Sequence, residues 1–172
     1  REHKVTITEY LTTLLIYSIY KGSYLKSRSK KAIKIYIPVN LRKYMDSSTI
    51  SNFFSFITIE RSFDKERFTD FDELLKFVST QFKSKLKKDS LKSKISYNVA
   101  AEQNLFLRLA PLFLKKIGSM VGNLELSKHH TTTLSNIGSI DVEEKYKEYI
   151  DNFLFLGGAS STEVLKFFIL SY

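Results

Sequence analysis

His129 and His130 are the first residues to weigh for chemistry, because an imidazole serves as base, acid or metal ligand near neutral pH. Adjacent residues on a strand point to opposite faces, so the pair does not close easily on one metal ion. No Asp or Glu stands at ligand spacing beside them, and they read as the polar start of a strand. His3 reads as solvated. The carboxylate pairs Asp72-Glu73 and Glu143-Glu144 are each explained by a helix start or a solvated face. Gly-x-Ser-x-Gly does not occur, and Gly157-Gly158 is too short to cradle a phosphate. The chain has no cysteine, which excludes disulfides, thiolate zinc sites and a cysteine nucleophile and fits a reducing, cytoplasmic setting. These residues therefore yield no catalytic group and no metal site.

Polar groups at strand ends are the better lead. Thr131-Thr132-Thr133-Leu134 favours an extended strand, because β-branched residues fit a pleated surface. Ser135-Asn136-Ile137-Gly138 is expected to end it, leaving small polar groups at a sheet edge within reach of a ligand. Strands at Ile33–Leu41 and Asn52–Glu60 have similar polar ends.

Other elements must position these strands. Thr6 and Glu9 form a capping box, with Val5 and Tyr10 at staple positions. Ile7, Leu11, Leu14, Leu15 and Ser18 then recur at helical spacing, predicting a core-facing stripe, with Gly22 as the stop. Lys26–Lys31 reads as a loop. Ile33, Ile35 and Ile37 alternate with Lys34 and Tyr36, so that strand buries one face. Pro38 ends regular pairing or marks an edge, and Val39–Arg42 continues extended. Ser51–Ile59 is apolar on nearly both faces, which predicts a central strand. Asp70 caps a helix whose stripe is Phe71, Leu74, Leu75, Val78 and Phe82. Asp89-Ser90 reads as a break or the cap of the next helix. One or two helices follow over 91–121, with Pro111 in a first turn and Gly122-Asn123 as a stop. Asp141–Tyr149 reads as a short helix, Phe153–Leu156 as a buried strand ended by Gly157-Gly158, and Val164–Tyr172 as the last strand. Grouped strands and helices predict an α+β fold: a two-layer sandwich, a mixed sheet with helices mainly on one face.

The 172 residues suit one domain, with 43% hydrophobic and 26% charged residues supporting an ordinary core. No stretch is long enough to span a membrane. The net charge of +9 admits a nucleic-acid, membrane-surface or phosphate partner, but lysine dominates over the arginine that base and phosphate readers favour. The basic run Lys83–Lys94 lacks the interleaved aromatics of single-strand binders, so it reads as a solvated helix face and no nucleic-acid partner is expected.

Three stretches together resemble a family. Ile37-Pro38-Val39-Asn40-Leu41-Arg42 resembles the PVN-x-R strand of CoA-dependent acyltransferases of the chloramphenicol acetyltransferase and condensation-domain superfamily. Ser51-Asn52-Phe53-Phe54 is similar to the (G/S)-N-F strand that follows it there. Thr133–Gly138 looks like the LSN-x-G strand end of the alcohol acetyltransferase-like branch. The resemblance covers essentially the whole chain but only the C-terminal half of such an enzyme. It implies a missing N-terminal half, a channel between the halves, acetyl-CoA or another acyl-CoA as co-substrate, and a small alcohol or amine acceptor. The family's base is a His-His-x-x-x-Asp motif in the first half. Here Leu134 stands where the aspartate belongs, so the role is not carried onto His130. The resemblance places Ser135 and Asn136 where they contact the acyl oxygen or the pantetheine arm. It gives Arg42 a structural role, as a buried guanidinium on an acid or several carbonyls, and has Asn52 tie neighbouring strands. The alternative is a non-catalytic protein- or carrier-binding module of the same fold. The chain begins at Arg1 and ends within an expected strand, which reads as a piece of a longer polypeptide that self-associates through a face its other half would cover.

Overall fold

A computed structural model of the chain describes residues 5–24, 31–63, 70–103, 109–118, 120, 131–158 and 165–172. Four strands form one mixed sheet in the order β2-β1-β3-β4. They are β1 (Ile33–Asn40), β2 (Phe54–Arg61), β3 (Thr132–Ser139) and β4 (Lys166–Ser171). β1 and β2 are antiparallel; β3 runs parallel to both β1 and β4. Helices α1 (Ile7–Ile19) and α2 (Phe71–Lys85) pack on one face, and α3 (Lys88–Gln103) follows α2 after two residues. The result is the expected two-layer α+β sandwich.

The core lies between the layers. Ile33, Ile35, Ile37, Ile57, Ile59 and Leu134 point from the sheet toward Ile16, Tyr20, Leu74, Val78 and Phe82 of the helix side. The α2 stripe is the expected one, with Phe71 only partly buried and Ser79 added to the buried face. Asp70 caps α2 through the Asp72 amide, 3.1 Å away.

Four expectations are corrected. α1 has its capping box, and Leu11 and Leu15 of the expected stripe pack half-buried against the core, but its fully buried face is Glu9, Thr12, Thr13 and Ile16, while Ile7 and Leu14 face outward. The two threonines tolerate burial because each hydroxyl donates to the carbonyl one turn back, Thr12 to Thr8 at 2.7 Å and Thr13 to Glu9 at 2.8 Å. Gly22 does not stop the helix, which widens into a π turn over Tyr20–Tyr24. β2 is an edge strand, not a central one, since its second apolar set, Phe54 and Phe56, faces outward. Phe153–Leu156 is neither a strand nor buried: Leu154 and Leu156 are exposed, and the segment leans on β4 through ring edges. Phe155 meets Phe168 at 4.9 Å and Phe153 meets Tyr172 at 5.1 Å. Gly157 permits this, because a Cβ there would lie 2.0 Å from the Phe168 ring.

The smaller elements also fall into place. Asp89 and Ser90 are neither a break nor the cap of the next helix; they lie inside the first turn of α3. Residues 112–118 are helical, and the Pro111 carbonyl accepts from the Leu114 and Lys115 amides. Glu144–Lys147 is a single helical turn. The loop Lys26–Lys30, the Gly122-Asn123 stop and the His129-His130 pair lie outside the described residues.

Candidate functional site

The site begins with Pro38. The parallel ladder between β1 and β3 pairs Ile35 with Thr132 and Tyr36 with Thr133, then ends two residues before the proline. Pro38 has no N–H to extend it. On its other side Pro38 sits opposite Phe56, whose carbonyl turns away from β1 to meet Lys94, so no bond is lost there. Pro38 therefore lies inside the sheet, where one ladder continues and the other stops. β1 then bends into a 3-10 turn, Leu41–Lys43, instead of continuing extended. The Asn40 side chain caps that turn by accepting from the Arg42 amide at 3.0 Å.

β3 does not end at Ser-Asn-Ile-Gly either. It continues through a bulge to Ser139 as an interior strand, so these residues are not at a sheet edge. Asn136 and Gly138 shape the bulge. Gly138 has φ +88°, which a side chain rarely tolerates, and its amide donates to Asn136 Oδ1 at 2.9 Å. Asn136 Nδ2 donates to Thr8 Oγ1 of α1 at 3.0 Å.

Where β1 and β3 part, a cavity of about 330 Å³ opens beneath the N-terminus of α1. Its walls include Thr8, Glu9, Val39, Asn40, Asn136 and Phe82. Glu9 is only 7% exposed, and its carboxylate accepts from the Thr6 amide at 2.8 Å. Lys43, exposed, and Tyr44 also line the cavity. One carboxylate thus stands against one lysine and the partial positive charge of a helix start, so the interior carries little net charge. That favours neutral hydroxyl and amide groups over phosphates. A larger groove of about 390 Å³ runs along α2, but its polar lining is mostly exposed side chains, Asp72, Lys76, Thr80 and Lys83, and no residue of the three family-like stretches reaches it.

The residues expected from sequence separate in space. Asn136 lines the cavity. Ser135 alternates to the opposite sheet face, paired with Phe168, so the two do not meet one ligand from one side. Arg42 is structural but not buried: it is exposed and donates to the Thr49 and Ser51 carbonyls at 2.9 and 2.7 Å, holding the loop before β2. Asn52 is exposed in that loop, ahead of β2, and no described residue bonds its side chain to tie strands together. Glu9, Thr8 and Tyr44 also line the cavity, and their sequence positions do not mark them as site residues. Glu9 is legible only as a cap, and nothing in the sequence brings it to Asn136. Among the described residues no three His, Asp or Glu side chains cluster as metal ligands, and no helix is long and apolar enough to cross a membrane.

The chain matches no protein-family model, no curated protein and no solved structure.

Proposed function

We propose that the chain is the C-terminal subdomain of an alcohol acetyltransferase-like enzyme. In this reading an acyl group passes from CoA, or a carrier thioester, to a hydroxyl or amine acceptor. One observation supports it: Pro38, Val39 and Asn40 of one family-like stretch and Asn136 and Ile137 of another, far apart in sequence, line the same cavity. Its near-neutral, partly apolar interior suits the amide-bearing pantetheine arm or a small acceptor better than the CoA phosphates. The acceptor oxygen or nitrogen would attack the thioester carbonyl and surrender its proton to a base outside this chain. The C–S bond would then break, and the thiolate would take up a proton. The test is to assay the complete gene product for thiol release from acetyl-CoA with alcohols and amines. Acceptor-dependent release that falls in an Asn40→Leu variant is the expected result.

The alternative is a non-catalytic carrier- or protein-binding module of the same fold. It is favoured by the commitment of Asn136's amide at both ends to structural bonds. It predicts acyl-carrier binding with no thiol release.

A further inference from the structure

The sheet face away from the helices carries aromatic rings at the β2 edge. Tyr36 of β1 lies 4.9 Å from Phe56 of β2, with the rings tilted by 30°, and Phe54 stands edge-on to Phe56 at 5.3 Å. Phe54 is 50% exposed and Phe56 37%. These side chains alternate with the buried Ile57 and Ile59, so the strand period turns them outward.

The basic run reaches the same edge. Within 83–94 there are six lysines against one aspartate. Lys85 Nζ donates to the Thr58 carbonyl, and Lys94 Nζ to the Phe56 carbonyl at 3.3 Å. Lys34 sits on the aromatic face, paired with Glu60 at 3.0 Å. Lys83, Lys87, Lys88 and Lys92 are exposed around the α2–α3 corner. An ammonium has three N–H groups, and a carbonyl uses one, so Lys85 and Lys94 keep donors for a second acceptor. Burial chiefly lowers the proton affinity of Lys85. Glu60 opposes that, and the neighbouring Lys94 and Lys34 lower it further, so Lys85 senses both of those lysines at this edge.

The basic run has no aromatics of its own; β1 and β2 supply them. We propose that the open face at the β2 edge binds single-stranded nucleic acid. Bases stack on Phe54 and Phe56, and the backbone follows the lysines of the α2–α3 corner. A single strand fits better than a duplex, because only unpaired bases offer free π faces to flat rings. None of these residues lines the cavity beneath α1, so this proposal does not depend on acyl transfer.

Fluorescence anisotropy of a labelled oligo(dT) of about 16 nucleotides, titrated with the intact chain, tests it. Binding should weaken with salt at a log–log slope of about −0.7 per phosphate contact. Phe54→Ser, at a half-exposed site, should lower affinity about tenfold or more. Lys94→Gln should reduce the salt slope by about one. Phe113→Ser, removing an exposed ring from the 112–118 helix, should change nothing. Circular dichroism melts of each variant keep folding separate from binding. Absent binding at low salt overturns the proposal, as does full affinity in folded Phe54→Ser or an equal loss in Phe113→Ser. Anionic phosphatidylserine vesicles that displace the oligonucleotide and read the same residues more tightly overturn it in favour of a lipid surface. An oligonucleotide-insensitive dimer broken by Phe54→Ser overturns it in favour of a second copy.

Discussion

Asn136 ties two elements at once: its carbonyl oxygen fixes the bulge at Gly138 and its amide donates to the Thr8 hydroxyl on α1. Removing both bonds with Asn136→Ala should cost about 1–3 kcal/mol, because the remaining groups are partly buried. A double-mutant cycle with Thr8→Val isolates the link from sheet to helix, at about 0.5–1.5 kcal/mol. Urea unfolding measures both, and a coupling of zero would show that the tie contributes nothing. Asn136 was legible as a special residue, since an Asn side chain bonds the backbone two residues on, here at Gly138. Its use inside a continuing strand was not, because a bulge and a strand end share the same residue types. Arg42 teaches the same limit. Its carbonyl partners were foreseeable, but its exposure depends on a loop that no periodicity describes.

At the scale of elements, the match between α2 and β2 explains how the sheet ends. Four residues along a helix advance about 6.0 Å and two along a strand about 6.6 Å. Gln81 and Lys85, one helical turn apart, therefore meet the Glu60 and Thr58 carbonyls in turn, and Lys94 of α3 continues to Phe56. The outward carbonyls of β2 are covered by side chains, which blunts an edge open to further strands. Lys85 gives this cap a pH signature. Burial lowers its folded-state pKa below the ordinary 10.5, so between those two values the unfolded chain binds more protons. Stability from this group should rise with pH through that window, and below it the penalty for burying the charge is fully present. Wild type should therefore gain stability relative to Lys85→Gln between its lowered pKa and about 10.5. Urea titrations of both proteins across that range check it, and a constant difference would refute it. The α2 stripe was readable because apolar type and buried face coincide there. The α1 face was legible only in part: Leu11 and Leu15 pack half-buried against the core, but threonines that bond their own helix take fully buried positions. The place of β2 is not legible, because Phe54 and Phe56 look like core residues on a strand whose second face is open.

For the whole molecule, charge and exposed apolar surface oppose each other. Leu112, Phe113, Ile117, Leu154 and Leu156 are exposed on a chain of net charge +9. Self-association through such surface should be held back by repulsion at low ionic strength and grow as salt screens it. Size-exclusion chromatography with light scattering should show a dimer or larger species at high salt. A clean monomer at high concentration there would count against this. The two-layer class was legible because strand and helix signals were grouped along the chain. The strand order was not, since β3 reaches β1 across the chain through pairings that local pattern does not encode. That long reach gives Pro38 a second consequence, measured in time. During synthesis β1, β2 and the first two helices emerge well before residues 132–139, and non-local pairing is the slow step. Until β3 arrives, the flank of β1 is a bare template for any neighbouring nascent chain. A proline near its end withholds one amide, so the waiting edge is shorter than the strand that bears it.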